Sequence, residues 1–307
     1  MRNTVFIQTN EKQMIGALVS AHSMRRNSKS PEAFDARIIR TEDYGFFKDF
    51  DGKSYLREKR DAVWDANDLQ TFTTTRFMPP KLMGYKGRSV VVDPDVFAVG
   101  DVAELFDRDM AGKSVMARFR AGHKGYADYI ATSVMLLDNA KLKHWDVERD
   151  FAAMFKNERD YEIWLRLGYE DPATVGQLED CWNDFDNLDH QTRMIHNTKR
   201  RTQPWKTGLP VDFTNRKGLF GLLPASWTPK GWIKRRKLPG SYWRHPDQRQ
   251  EQYFFALLQE CLEHGTITGE LLQKHMDMDH VRHDALEIIK EVPKVDDILQ
   301  SVLQKAA

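Results

Sequence analysis

The stretch "RSVVVDPDVFAVGD", residues 88–101, runs from an apolar segment into two aspartates that are separated by a proline. The valines at 90–92 form the continuous apolar run that is typical of a strand covered on both faces. Pro94 disfavours the helical conformation for the residue before it, so we expect Asp93 to continue the strand. The stretch therefore predicts a buried strand that ends in an acidic pair.

The acidic pair has two interpretations. Residues i and i+2 of an extended segment point the same way, so the carboxylates of Asp93 and Asp95 would converge on one cation beyond the sheet edge. Such hard oxygen ligands suit Mg²⁺ or Mn²⁺ together with the oxygens of a diphosphate. The other interpretation is a strand-terminating turn, which both Asp and Pro favour. Taken alone, the motif favours the turn, because D-x-D strings are common.

The surrounding pattern predicts an α/β fold. A helix is expected after the first strand, from about Met14, and near-alternating strands and helices over the first 145 or so residues predict a mixed sheet flanked by helices. Beyond that point we expect mostly helical or irregular structure, with a loop-rich part over residues 204–246 and helices over 251–264 and 279–291. The predicted strands cover residues 4–9, 34–43, 88–93, 113–119 and 131–142.

Composition limits the function classes. The 307 residues include 46 basic and 45 acidic ones, a formal net charge of +1, which argues against a dedicated nucleic-acid binder. Cys181 and Cys261 form no metal or disulfide motif. No leader pattern or apolar run of membrane-spanning length is evident. We therefore expect a cytoplasmic protein, with contact at the inner face of the membrane left open.

Five segments occur in an order that resembles glycosyltransferase family 8, the retaining nucleotide-sugar enzymes with a GT-A fold. They are "VFIQTN" (5–10), "TTTRFMPPKL" (73–82), the acidic pair, "ATSVMLLDNAKL" (131–142) and "MIHNTKRRTQPWKTG" (194–208). The resemblance covers roughly residues 3–210. It implies a GT-A-like mixed sheet, with a basic loop-rich and then helical carboxyl-terminal portion outside it.

The resemblance also implies a site. Thr9 and Asn10 would lie beside the nucleotide, and Arg76 would contact the donor. The implied cofactor is Mn²⁺ (or Mg²⁺), with Asp93, Asp95 and His196 as its ligands. The implied donor substrate is a UDP-sugar. A divalent cation held there would neutralise the charge that develops on the leaving phosphates.

The chain departs from the family pattern in two of these segments. "ATS" (131–133) stands where the family has Asn-Ser-Gly, so the sugar contact of that asparagine is absent or supplied elsewhere. Lys199 replaces a glycine and Gln203 replaces a lysine. We expect Lys199, Arg200 or Arg201 to supply the cationic contact to the diphosphate.

The family's D-Q-D box, which lies near the reacting carbon, has no clean counterpart. Asp160 falls in the right interval and is the candidate catalytic residue. A second histidine-rich run, "HMDMDHVRHD" (275–284), places His and Asp at helical contact spacing. A hydrated helix face explains that run better than a metal site, since no closed ligand set accompanies it.

The sequence predicts two domains, a catalytic one over residues 1–210 and an acceptor- or membrane-contacting one over 211–307. The predicted function is metal-dependent transfer of a hexose or uronic acid from a UDP-sugar to a glycan or lipid-linked acceptor. The alternative is a non-catalytic protein of the same fold that binds a polyanion or sugar nucleotide. The basic, tryptophan-rich segment 226–246 predicts contact with an anionic membrane surface, or else a loop pinned by its tryptophans.

Overall fold

A computed structural model describes residues 2–122, 128–213 and 240–304 of the chain. The strands are short or of moderate length, and several contribute to one central sheet. In chain order they are β1 Asn3–Thr9, β2 Phe34–Arg40, β3 Ser54–Arg57, β4 Arg60–Val63, β5 Arg88–Val92, β6 Val96–Ala98, β7 Val115–Arg120, β8 Tyr129–Asp138, β9 Val175–Gln177, β10 Asp184–Phe185 and β11 Met194–His196.

Among the described residues, five of the helices lie between strands, and four follow the last strand. In chain order they are α1 Met14–Arg26, α2 Pro79–Leu82, α3 Ala103–Phe106, α4 Val147–Phe155, α5 Tyr161–Leu165, α6 Gln248–Glu263, α7 Gly269–Asp277, α8 Ala285–Glu291 and α9 Val295–Gln304. Gly265, at a φ of +70°, follows α6 in the left-handed conformation that commonly ends helices. In the ranges that the structure describes, no helix has both the length and the apolar character needed to span a membrane.

The central sheet has six strands in the order β2-β1-β5-β8-β7-β9. Strand β1 is parallel to β2 and to β5, whereas β8 is antiparallel to β5 and β7. The carboxyl ends of β1, β5 and β7 therefore meet the amino end of β8 at one edge of the sheet. The predicted mixed sheet flanked by helices is confirmed. Val90, Val91 and Val92 are fully buried, as their apolar run predicts.

A second apolar core joins the carboxyl-terminal helices to the sheet domain. Ile15 and Val19 of α1 pack in one cluster with Phe254 and Leu257 of α6 and with Ile195 of β11. This cluster connects ranges that the sequence assigns to two domains. The boundary at residue 210 stays a prediction.

The sequence pattern misses several short strands. Strands β3 and β4 form a hairpin whose turn residues, Glu58 and Lys59, have φ values of 50° and 59°. Such turns usually carry Gly or Asn, so no turn signal is present. Strands β9, β10 and β11 have two or three residues each, which is too short for periodicity. The chain after residue 145 is mostly helical or irregular, as expected, and these three short strands are the part of it that the pattern did not predict.

A close approach of α1 to the acidic turn depends on a glycine. A Cβ atom on Gly16 would lie 2.8 Å from the backbone oxygen of Pro94 and 3.7 Å from the ring of Trp205. Both neighbours are buried, and the nearest atom is backbone, so it cannot yield as a flexible side chain would. The glycine therefore lets α1 pack directly on the turn between Asp93 and Asp95.

We expect Gly16→Ala to lower the free energy of unfolding by about 1–3 kcal/mol, because an overpacking clash outweighs the ~1 kcal/mol helix-propensity gain of alanine. Gly269→Ala is the matched control, since no atom lies within 4 Å of a Cβ built there. Urea unfolding of both variants measures the effect. A Gly16→Ala variant as stable as the wild type would show that α1 does not need this close contact.

Candidate metal centre

The acidic pair lies in a tight turn directly after β5. The backbone N–H of Val96 donates to the oxygen of Asp93 at 3.2 Å, and the N–H of Asp93 donates to the oxygen of Ser133 in β8 at 2.9 Å. Pro94 occupies the second position of this turn, where its fixed φ is favoured. Of the two interpretations of the acidic pair, the strand-terminating turn is the one that forms, and the chain does not stay extended through Asp95. The turn itself brings the two carboxylates to one place.

His196 completes a group of three ligand types. One ligand atom from each of Asp93, Asp95 and His196 lies within 4.8 Å of the others, which is roughly the width of one coordination sphere. The His196 ring comes from the end of β11, and β11 pairs with β6, the strand that follows the acidic turn. The structure thus places together the three residues that the resemblance implies as metal ligands.

Asp93 is held by a buried ion pair. Arg76 donates from Nη2 to Oδ2 at 2.6 Å and from Nε to Oδ1 at 3.2 Å, a two-point contact that fixes the carboxylate plane. Gln8 of β1 also donates to Oδ1. Arg76 Nη1 donates to Thr132 Oγ1 at 2.9 Å. In this structure Arg76 therefore orients Asp93.

Asp95 is held less completely. Its Oδ2 accepts from Gln203 Nε2 at 3.2 Å, and its backbone oxygen accepts from the N–H of Asn197 at 3.0 Å. Oδ1 is buried, lies 3.3 Å from His196 Nε2 and has no hydrogen-bond partner in the part of the chain that the structure describes. A buried acceptor without a donor is costly unless a cation or proton satisfies it. The donor set of two carboxylates and one imidazole fits Mn²⁺ or Mg²⁺.

The ring of His196 is oriented by an amide. Its Nδ1 lies 2.8 Å from Asn183 Oδ1, and Asn183 Nδ2 donates to Ser133 Oγ at 2.9 Å. An amide oxygen can only accept, so the Nδ1–H of the imidazole donates to it and the lone pair stays on Nε2. Nε2 is the atom that faces Asp95. Asn183 is fully buried, so the contact is protected from water.

The electrostatics of the group favour bound positive charge. Burial raises the pKa of Asp93, which the charge of Arg76 opposes and the neighbouring charge of Asp95 reinforces. For His196, burial alone lowers the pKa, but the charges of Asp95 and Asp93 outweigh it and the pKa is raised above its usual value. Both shifts reflect two carboxylates that share one buried space and require a cation or protons there.

Sequence reasoning missed the residues that hold the metal ligands in place. Gln8, Thr132, Ser133, Asn183 and Gln203 each contact a ligand or its partner, and all are buried. Thr132 and Ser133 come from the "ATS" departure, so that segment supports the centre. No short sequence motif marks these contacts, because they join positions that are far apart in the chain. For Gln203, the sequence indicates only that it replaces the lysine of the family pattern.

The predicted nucleotide and diphosphate contacts lie on either side of this centre in the sequence. Asn10 Nδ2 donates to Leu69 O and Thr71 Oγ1, both at 3.1 Å, and Thr9 is fully buried at the end of β1. Lys199 is exposed and lies three residues after the end of β11. The guanidinium carbons of Arg200 and Arg201 lie 5.8 Å and 4.2 Å from the ring centres of Phe213 and Trp243, respectively. Donor binding by these residues stays a prediction.

Asp160 has a structural role that the sequence reasoning did not foresee. It is the N-cap of α5, and its Oδ1 accepts from the N–H groups of Glu162 and Ile163 at 2.9 Å and 3.2 Å. Its Oδ2 accepts from the N–H of Lys59 at 2.7 Å. Three backbone donors thus occupy a side chain that is almost completely buried. A catalytic role for Asp160 stays a prediction.

The histidine-rich run begins in the last turn of α7 and continues into a turn with local pairing. Helix α7 ends at Asp277, and His275 Nδ1 contacts His280 Nδ1 at 3.1 Å, while His283 Nε2 lies 3.0 Å from Asp279. The expected helical spacing across the whole run is therefore wrong. Over residues 2–122, 128–213 and 240–304, three such ligands meet only at Asp93, Asp95 and His196.

Comparison of the sequence with protein-family profiles found no match. Comparison with curated proteins found none either.

Comparison of the fold with solved structures found similar chains. The glycosyltransferase GlyE of Streptococcus pneumoniae aligns over 66% of this chain and 56% of its own, with 15% identity and a TM-score of 0.46. The galactosyltransferase LgtC, in complex with donor and acceptor sugar analogues, aligns over 66% and 89%, with 13% identity and a TM-score of 0.45. Mouse xyloside xylosyltransferase 1 aligns over 64% and 98%, with 11% identity and a TM-score of 0.42. This chain thus spans little more than half of GlyE.

We expect Asn183→Leu to weaken Mn²⁺ binding by about 10–100-fold, because loss of an outer partner frees the tautomer and ring orientation of a ligating histidine. Asn183→Asp keeps an acceptor at the same place and should retain most of the affinity. Titration followed by electron paramagnetic resonance measures binding, and ¹⁵N shifts of the imidazole report the tautomer. Wild-type affinity in Asn183→Leu, with the same tautomer, would contradict the role given to Asn183.

Proposed function

We propose that this chain is a metal-dependent glycosyltransferase that uses a nucleotide-sugar donor, most simply a UDP-sugar. The observation that carries the proposal is the meeting of Asp93, Asp95 and His196 around the unpartnered Asp95 Oδ1 at the sheet edge. Such an edge, beyond the carboxyl ends of parallel strands, is where open α/β sheets bind ligands. The motif order in the sequence supports the same chemistry.

A divalent cation bound here would act as a Lewis acid on the donor diphosphate and orient it. The protein's own contribution is to hold the ligands. Arg76 and Gln8 fix Asp93, Gln203 fixes Asp95, and Asn183 fixes His196, so little reorganisation accompanies binding. Lys199, Arg200 and Arg201 begin three residues after His196 and supply positive charge near the leaving phosphates in this proposal. We propose retention of the anomeric configuration from the resemblance to family 8.

The acceptor in this proposal is a glycan or a lipid-linked sugar. Residues 226–239 of the basic segment lie outside the described residues, but its end is described. Trp243 is 58% exposed, and Arg244 beside it is also largely exposed, 3.5 Å from Glu251. An exposed tryptophan next to arginine suits the interface of an anionic membrane. We propose that this segment brings the protein to the cytoplasmic membrane face, where lipid-linked acceptors lie.

The first test is a donor screen. We expect Mn²⁺-dependent release of UDP from one or more UDP-sugars, and its loss with a chelator. Asp95→Asn should lower the rate by at least ~100-fold, because it removes a charged ligand of the cation. Loss of a residue that only orients a ligand already lowers metal affinity or activity by about 10–100-fold. Asp95 is the sharper target than Asp93, because Asp93→Asn also leaves Arg76 buried without its carboxylate. Asp35→Asn, in an exposed pair with Arg2, is the control.

Two outcomes of that screen would count against the proposal. Wild-type rates in both Asp93→Asn and Asp95→Asn would refute the metal centre. Tight UDP-sugar binding with no turnover for any donor and acceptor would favour the non-catalytic binding protein of the same fold.

The second test is flotation with lipid vesicles. We expect binding to phosphatidylglycerol vesicles and little to phosphatidylcholine, and we expect Arg235→Glu with Arg236→Glu to weaken it by at least tenfold, at about 1 kcal/mol per basic residue near the surface. Arg25→Glu with Arg37→Glu changes the net charge equally and is the control. Equal binding by both double variants would exclude the basic segment as the contact.

A further inference from the structure

An arginine and aromatic cluster lies beside the metal centre, and the site described above does not use it. We define the arginine–aromatic face as Arg118, Arg120, Tyr129, Arg166 and Phe185. Arg118 and Arg120 are two positions apart in β7, and Tyr129 of β8 is paired with Arg120, so the three side chains share one face of the sheet. The guanidinium carbons of Arg118 and Arg120 lie 4.4 Å and 5.0 Å from the ring centre of Phe185.

This face is in direct contact with the metal centre. The ring centre of Phe185 lies 5.4 Å from that of His196, and the two residues are paired between β10 and β11. Arg118 Nη1 donates to the backbone oxygen of Asn183 at 2.6 Å. Asn183 is the residue whose side chain orients His196. A ligand on the face would therefore lie next to the reacting centre.

The face carries more positive charge than its own carboxylates balance. Arg118 pairs with Asp180 at 2.7 Å, and Arg166 lies 3.6 Å from Glu162, which also pairs with Arg57. Arg120 donates to Tyr129 Oη at 2.9 Å, and no carboxylate of the described ranges lies within ion-pair distance of it. None of the side chains outside those ranges is acidic. The charge of Arg120 is thus available to an anion.

An aromatic ring lies close to these arginines. The guanidinium carbons of Arg120 and Arg166 lie 5.8 Å and 5.4 Å from the ring centre of Tyr129, within the range of a cation–π contact. Arg120 donates one N–H to Tyr129 Oη, and the rest of its planar fork of N–H groups has the geometry that fits carboxylate or phosphate. The rings also limit the freedom of the arginines, which lowers the entropy cost of binding.

The strand order separates this face from the predicted donor contacts. Thr9 and Asn10 lie at the end of β1, Asp93 and Asp95 follow β5, and Arg120 ends β7, on the other side of β8. Three strand spacings, roughly 14 Å, lie between β1 and β7. An anion bound at Arg120 would therefore lie apart from the predicted contacts of Thr9 and Asn10 with the nucleotide, and we assign it to the second substrate.

We propose that the arginine–aromatic face is an acceptor subsite that selects a sugar bearing a carboxylate or phosphate group. This inference rests on the proposed glycosyltransferase function. Arg120 binds the anionic group. Arg118 and Arg166 contribute positive electrostatic potential and line the subsite. The sugar hydroxyl that accepts the transferred residue is then held beside the metal centre.

The test compares matched sugars that differ in one charge. Saturation-transfer NMR, with Mg²⁺ and UDP present, measures the affinity of 4-nitrophenyl glucuronide against 4-nitrophenyl glucoside, and of glucose 6-phosphate against glucose. We expect at least one charged sugar to bind about tenfold more tightly than its neutral partner, as a charge-assisted hydrogen bond at a partly exposed site provides. Arg120→Gln should reduce that ratio to below about threefold.

The controls separate this subsite from the donor site. Arg37→Gln removes an exposed arginine that also stacks on a ring, that of Phe6, at the opposite side of the sheet, and it should leave the ratio unchanged. UDP affinity, measured by calorimetry, should be the same in Arg120→Gln as in the wild type. A fall in UDP affinity would assign Arg120 to the donor and overturn the proposal.

Other outcomes also overturn it. These are equal affinity for charged and neutral sugars, no binding of either charged sugar by the wild type, or a preference that survives Arg120→Gln. Failure of UDP to bind the wild type, with the Arg120-dependent preference intact, would instead refute the glycosyltransferase proposal and leave an anionic-sugar site.

Discussion

The buried ion pair between Arg76 and Asp93 is the interaction on which the centre depends. It joins the segment before α2 to the end of β5, and through Thr132 it also reaches β8. Removing either partner would leave a buried charge without compensation, which typically costs several kcal/mol. Because Arg76 contacts both carboxylate oxygens, the ion pair is bidentate and fixes the orientation of the Asp93 carboxylate as well as its position. The neighbouring side chains are arranged around this fixed group.

The two aspartates of the turn differ because their surroundings differ. Asp93 has donors on both oxygens, whereas Asp95 keeps one buried oxygen without a hydrogen-bond partner among the described residues. The carboxylate of Asp93 is therefore fixed in orientation, whereas Oδ1 of Asp95 can still accept a hydrogen bond or bind a cation. His196 shares the space with its lone pair directed inward by Asn183. The outer partners thus hold the three candidate ligands in fixed orientations.

The fold and the candidate site were predictable to different extents. The strands β1, β2, β5, β7 and β8 follow from apolar runs, and the helix after β1 follows from its spacing. The hairpin of β3 and β4 was missed because its turn uses Glu58 and Lys59 instead of glycine or asparagine. The three candidate ligands were predicted through motif order, and the structure brings them together. The amides that orient them were not predicted, because a hydrogen bond between distant positions leaves no local pattern.

The sequence by itself determined the sheet, its buried valines and the identity of three residues suited to one cation. It did so because strand burial and ligand chemistry are properties of residue type and short spacing. Only the tertiary structure decided that the acidic turn meets His196, that Asn183 sets the tautomer of His196, and that Arg118 of β7 lies over the neighbouring ring of Phe185. These depend on which strands become neighbours. Strand order is a property of the whole chain, and no segment of it carries that information alone.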